Sequence, residues 1–94
     1  MFIYTKSQVE KKIQDCFNMD MLDKYNNLDD NPLKTFQYLL GFLQQSQHGE
    51  IRNNILSLID SINQIQDEYS NEKFENLPSN IISEFAYIMS SCRF

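Results

Sequence analysis

The sequence predicts an all-α protein, a compact antiparallel bundle of four helices in a single domain over residues 1–94, or of five if the first helix breaks. Two glycines and two prolines are too few turn residues for the hairpins of a β sandwich or barrel. Hydrophobic residues make up 41% of the chain, which is enough for a globular core and argues against disorder throughout. Apolar residues also recur at helical spacing between start and stop signals.

The first helix is predicted to begin at Ser7. The sequence Ser7-Gln8-Val9-Glu10 fits the capping box, in which a hydroxyl and a carboxylate each satisfy a backbone N–H that lacks a partner. Apolar residues then repeat at helical spacing: Val9, Ile13, Cys16 and Phe17. Asn18 and Asp20 are weak helix formers, so we expect a bend or break there and a stop at Asn26-Asn27.

The second helix is predicted to begin at Asn31-Pro32, where a good capping residue precedes a proline at the first helical position. Its apolar stripe is wide: Leu33, Phe36, Leu39, Leu40, Phe42 and Leu43. Gly41 lowers helix stability relative to alanine, so we expect it to allow close approach of another helix. The helix is predicted to end at His48-Gly49, with glycine at C′ and histidine near the negative end of the helix dipole.

The third helix has the most regular pattern, an a/d seam whose apolar residues step alternately by four and three. The seam residues are Ile51, Ile55, Leu58, Ile62, Ile65 and Tyr69. Ile59 and Leu56 are expected to widen one flank. The seam is shorter than a coiled coil needs, so we expect the central helix of a bundle, with a self-association zipper as the alternative.

The last helix follows a polar segment, residues 70–76, whose one large apolar residue is Phe74. The sequence Leu77-Pro78-Ser79-Asn80 is expected to cap this helix. Its predicted core residues are Ile81, Ile82, Phe85, Ile88 and Met89.

The sequence contains no constellation typical of catalysis, a metal site or a cofactor site. His48 is the one imidazole, and its position beside Gly49 is typical of an exposed histidine at a helix end. Cys16 and Cys92 are far apart and form no C-x-x-C pair, and neither glycine belongs to a phosphate-binding loop. We therefore expect no enzyme, no metal and no cofactor.

The chain is predicted to be cytoplasmic. Its N-terminus lacks a basic segment ahead of a long apolar one, as a signal peptide would have. The longest nearly apolar run, residues 36–43, is far shorter than the roughly 20 residues of a spanning helix. Two cysteines are too few for the disulfide framework of a small secreted domain, so we expect reduced thiols, with a Cys16–Cys92 disulfide as the alternative.

The net charge of −5 is concentrated in two acidic blocks. Residues 13–31 hold five aspartates and one lysine, and residues 60–75 hold five acids and one lysine. The basic group Lys6, Lys11 and Lys12 is too small for a phosphate-binding face, so direct binding of nucleic acid is not expected.

Acidic residues interleaved with aromatic ones suit a surface that covers a basic cleft. The acids would steer a cationic partner, and a tyrosine or phenylalanine would supply a desolvated anchor. The candidate partner-binding residues are Asp20, Asp23, Asp29, Asp30, Asp60, Asp67, Glu68, Tyr69, Glu72, Phe74 and Glu75. A solvated helix face that only keeps the protein soluble is the plainer interpretation.

In size, acidity and helical character the chain is similar to the small acidic helical immunity proteins of bacterial toxin systems, although no motif is shared. This likeness predicts an immunity protein or antitoxin that neutralises a basic, nuclease-type toxin by covering its active site. Its partner would be a basic protein, with no nucleic acid or membrane bound and no homo-oligomer favoured. The alternative is a small helical regulatory or adaptor module that binds another cytosolic protein through its apolar N-terminus, Phe74 or Phe94.

Overall fold

The computed structural model describes residues 4–17 and 28–93, which form four α-helices and one 3₁₀ turn, with no strand among them. Helix α1 covers Lys6–Cys16, α2 Pro32–Ser46, α3 Gly49–Tyr69 and α4 Ser79–Ser91, and the 3₁₀ turn covers Phe74–Asn76. The radius of gyration is 12.1 Å, as expected for a compact chain of this length. The all-α prediction is confirmed, whereas the expected break in the first helix falls on residues 18–27, outside the described ranges.

The N-cap of helix α1 lies two residues before the Ser7 that the sequence predicted. Thr5 is its N-cap: the Gln8 N–H donates to Thr5 Oγ1 over 3.2 Å, and the Thr5 N–H donates to Gln8 Oε1 over 2.9 Å. The capping box therefore joins Thr5 to Gln8 and not Ser7 to Glu10, because glutamine serves the third helical position as well as glutamate. The predicted apolar stripe is confirmed, since its members are buried: Val9, Ile13, Cys16 and Phe17.

Helix α2 begins as predicted. The Lys34 N–H donates to Asn31 Oδ1 over 3.2 Å, and Pro32 occupies the first helical position. Five apolar side chains of the predicted stripe are buried, and Phe42 packs half-buried against them. The cap and the proline are adjacent in sequence, so local chemistry was enough to locate this helix start.

Helix α2 ends before the predicted stop at His48-Gly49. Helix α2 ends at Ser46 with Gln47 as its C-cap, and Gly49, at φ 70°, is already the first residue of α3. His48 is therefore the N-cap residue of α3, at the positive end of a dipole and not at the negative end. The left-handed glycine turns the chain directly from one helix into the next.

The a/d seam of α3 faces the interior of its own chain. Its central residues Ile55, Leu58 and Ile62 are fully buried, and the remaining three pack half-buried against the same core. Helices α2 and α4 both pack against α3, so the seam is already used within one chain and is not available for a zipper. Leu56, expected to widen the seam, is instead 38% exposed.

Helices α1 and α4 run in the same direction. Their first residues line one cleft, with Thr5 on the α1 side and Ser79 on the α4 side. Further along, Lys12 Nζ donates to Ser90 Oγ over 2.7 Å. The antiparallel arrangement of the bundle stays a prediction, because periodicity fixes which face of a helix is buried but not the direction of its neighbour.

Three aromatic rings from separate parts of the chain meet in the core. Phe36 of α2 stacks on Phe85 of α4, with the ring centroids 3.9 Å apart and the planes 11° from parallel. Phe74 of the 3₁₀ turn meets Phe36 edge to face, with the centroids 6.4 Å apart. Phe36 therefore joins α2 to α4 and to the connection that precedes α4.

The two cysteines are free thiols buried in this core, and no disulfide joins them. Burial raises the pKa of the Cys92 thiol, so its neutral form is favoured. A buried neutral thiol packs as a small apolar side chain. Cys16 and Cys92 therefore contribute to packing at the ends of α1 and α4.

Gly41 lies in the middle of α2 beside open space, which contradicts the close helix approach expected there. A Cβ added at Gly41 would have no atom within 4 Å. Gly41→Ala is therefore expected to raise the free energy of unfolding by about 0.5–1 kcal/mol, because alanine favours the helix and restricts the unfolded chain.

Gly49→Ala is the matched control, because its backbone has a φ of 70° that alanine adopts only with strain. We expect this variant to lose stability although the space around its Cβ is equally open. Urea denaturation followed by circular dichroism measures both changes. A loss of stability in Gly41→Ala would contradict the open environment of that position.

Candidate partner-binding surface

The predicted acidic residues of α3 lie on its solvent side, opposite the buried seam. Asp60 and Asp67 are exposed, and they project from nearly the same angle around the helix because they are seven residues apart. Glu68 is exposed about 100° further around the helix than Asp67, and the exposed Leu56 lies one turn before Asp60. We call Leu56, Asp60, Asp67 and Glu68 the α3 face.

In the part of the chain that the structure describes, one carboxylate of the α3 face has an amide partner and none of the three forms an ion pair. Gln64 Nε2 donates to Asp60 Oδ2 over 3.0 Å, from one turn further along the same helix. Among the described residues, no lysine or arginine forms an ion pair with Asp60, Asp67 or Glu68. Asp60 and Glu68 therefore present their charges to solvent, whereas Asp67 lines a cleft of about 220 Å³ that Lys34 also lines, without forming an ion pair with it.

A second group of predicted acids lies in a cleft that they share with lysines. Asp29 and Glu75 line a cleft of about 160 Å³ together with Lys6 and Lys73. Lys6 Nζ forms a hydrogen-bonded ion pair with Asp29, and this contact raises the pKa of the Lys6 ammonium. Two carboxylates and two ammonium groups line the cleft, so it has no excess negative charge with which to steer a cationic partner.

The aromatic residues expected to serve as anchors lie against the core. Phe74 is 3% exposed, so it has no ring surface to offer a partner, contrary to the expectation from the sequence. Tyr69 is half-buried and packs against the core cluster. Glu72 is also half-buried, and its Oε2 accepts a hydrogen bond from Asn76 Nδ2 over 3.0 Å.

The remaining candidates belong to the first acidic block. Asp30 is exposed in the turn that precedes α2. Asp20 and Asp23 lie outside the described residues, so their part in a binding surface stays a prediction. The structure thus brings the predicted acids together in two groups, the α3 face and the lysine-matched cleft of Asp29 and Glu75.

A cleft of about 390 Å³ between α3 and α4 adjoins the α3 face and was not predicted from the sequence. It is lined by Asn54, Ser57, Ser83, Glu84, Tyr87 and Ile88. Glu84 is exposed, Tyr87 is 56% exposed, and Ser57 lies about one turn before Asp60 of the α3 face, so the two are neighbours on the helix surface. A signal was present in the sequence, because Tyr87 is out of phase with the apolar stripe of α4 and so had to point away from the core.

Within residues 4–17 and 28–93, no three side chains of His, Cys, Asp or Glu come close enough together to hold a metal ion. No helix in these ranges is long and apolar enough to cross a membrane. No protein-family model matches the chain, and no curated protein or solved structure is significantly similar to it. Function is therefore inferred from the α3 face and the cleft beside it.

Proposed function

We propose that the protein is a non-catalytic binding protein, an immunity protein or antitoxin that neutralises a basic, nuclease-type toxin in the cytoplasm by covering its active site. The observation that carries the proposal is the α3 face, where Asp60, Asp67 and Glu68 are exposed with no basic partner among the described residues. Leu56 adds an exposed apolar side chain to the same surface.

The chemistry of a nuclease active site explains why such a face would bind there. A nuclease must hold phosphates, so its cleft carries cations that a row of carboxylates can also engage. Asp60 and Asp67 are separated by about 10 Å along the helix axis, from a rise of about 1.5 Å per residue. Carboxylates spread over that length on a rigid helix would attract a basic partner during its approach. In the complex they would contact several of its cations at once.

A second candidate is a small helical regulatory or adaptor module, and it is favoured by the exposure of Leu56 and Tyr87. Such a module would bind another cytosolic protein through these apolar surfaces and would tolerate loss of the carboxylates. Of the apolar residues that the sequence suggested as contacts for such a module, Phe74 is buried. Residues 1–3 and Phe94 lie outside the described ranges, so their part in binding stays a prediction.

The proposal is tested by measuring binding and inhibition against a panel of basic nuclease domains from toxins. We expect one of them to form a stoichiometric complex with the protein and to lose its cleavage of DNA or RNA. Raising the salt concentration should weaken this association, because exposed charges are screened. An affinity that is independent of salt, or a panel without any partner, would contradict the electrostatic mechanism.

A further inference from the structure

We propose that the cleft between α3 and α4 is a subsite for one arginine side chain of the partner. The inference rests on the proposed function, since it names the partner group bound beside the α3 face. It also makes a prediction of its own, because an arginine subsite should recognise a free guanidinium without any toxin present.

The lining of the cleft is suited to a cation that donates several hydrogen bonds. Glu84 supplies a carboxylate, Asn54 supplies an amide oxygen, and Ser57 and Ser83 supply hydroxyl oxygens, all of which can accept. Among the residues that the structure describes, no lysine or arginine lines the cleft, so no described cation offsets the charge of Glu84 there. The volume of about 390 Å³ lies within the range of about 300–1,000 Å³ that is usual for small-ligand sites.

The position of Tyr87 favours arginine over lysine. Tyr87 and Glu84 are three residues apart on α4, so they are neighbours on one helix face, and more than half of the Tyr87 side chain is exposed. A planar guanidinium can stack on the tyrosine ring while its N–H fork binds the carboxylate, a combination that a compact ammonium does not offer. Ile88 is 1% exposed and lines the cleft from the side of the core.

A second cleft in the structure has a lining that does not select for the charge of a ligand. A cleft of about 430 Å³ lies where α1 and α4 begin, with Phe74, Leu77 and Ile82 among its apolar lining residues. Lys6 and Glu75 line it as well, so its charges oppose one another and favour no sign of ligand charge. The cleft between α3 and α4 differs because the one charged side chain among its described lining residues is a carboxylate.

The probe for the subsite is the capped peptide acetyl-Gly-Arg-Gly-amide, titrated into the ¹⁵N-labelled protein and followed by NMR. We expect saturable shifts of the amide signals of Asn54, Ser57, Glu84 and Tyr87. The same peptide with lysine should bind about threefold more weakly, since the stacking contribution at an exposed site is about 0.5–1 kcal/mol. The uncharged citrulline peptide should produce no saturable shift.

Variants of the lining test the two parts of the subsite. Glu84→Gln is expected to weaken arginine-peptide binding about tenfold, because it removes a charged acceptor. Tyr87→Ala should weaken binding about threefold, while Tyr87→Phe should retain it because the aromatic face remains. Tyr38→Ala is the matched control, since Tyr38 is an exposed tyrosine of α2 that does not line the cleft. Thermal unfolding confirms that each variant is folded.

Equal responses to arginine and lysine peptides, or non-saturating shifts spread along the α3 face, would overturn the subsite. So would undiminished binding by the folded Glu84→Gln and Tyr87→Ala variants. Peptide binding in the cleft without any nuclease partner would instead overturn the proposed function and leave the subsite intact. The two proposals therefore fail in distinguishable ways.

Discussion

Replacing Phe36 by alanine is expected to lower the free energy of unfolding by about 3–5 kcal/mol. The Phe36 ring is fully buried, stacks on Phe85 and meets Phe74 edge to face. Its removal leaves a cavity bordered by α2, α4 and the 3₁₀ turn, and three separate elements do not all move inward to fill it. Small domains are stable by only about 5–15 kcal/mol, so this one ring accounts for a large part of the total.

Urea denaturation of Phe36→Ala, followed by circular dichroism, measures this loss. Tyr38→Ala is the control from the same helix, because Tyr38 is 48% exposed and its truncation should cost less than about 0.5 kcal/mol. Phe36→Leu should retain part of the stability, since leucine fills much of the space without the ring contacts. A loss below about 1 kcal/mol in Phe36→Ala would contradict the central position of the ring.

The buried faces of the helices could be predicted because periodicity is a local property of the chain. The seam around Ile55, Leu58 and Ile62 is buried as its spacing predicted. The start of α1 was mistaken because two capping boxes overlap there, one from Thr5 and one from Ser7. Both satisfy the local hydrogen-bonding requirement, so a choice between them depends on longer-range packing that spacing does not encode.

The candidate site was harder to predict because exposure depends on tertiary packing. Phe74 lies in a polar segment, so the sequence suggested that its ring is exposed and contacts a partner. In the structure the Phe74 ring is buried and packs edge to face against Phe36. The exposure of Tyr87 follows from its phase on α4, but the cleft that it lines depends on how α3 and α4 pack together. Asp29 and Glu75 come from different acidic blocks and line one cleft with two lysines. Counting charges along the chain does not show that these lysines offset the two carboxylates.

Neutralising the α3 face with Asp60→Asn, Asp67→Asn and Glu68→Gln in one variant is expected to slow association with a nuclease partner at least about tenfold at low salt. The physical reason is that these carboxylates have no basic partner among the described residues, so their field acts on an approaching cation. The amide side chains are close in shape and exposed, and each should change stability by less than about 0.5 kcal/mol. Stopped-flow measurements across salt concentrations give the association rate.

The matched control is the variant with Glu10→Gln, Asp15→Asn and Glu50→Gln, which removes three acids that lie away from the α3 face and are not among the predicted partner-binding residues. Both variants shift the formal charge from −5 by the same amount, so they separate the effect of total charge from the effect of its placement. If total charge drives association, both variants slow it equally, and the α3 face has no special part. If the protein is an adaptor that binds through apolar surfaces, neither variant slows it. If only the α3-face variant associates more slowly, the interface is electrostatic and lies on that helix. The reason is that the potential of a charge falls off within about 10 Å at moderate salt, so acids elsewhere on the surface contribute little.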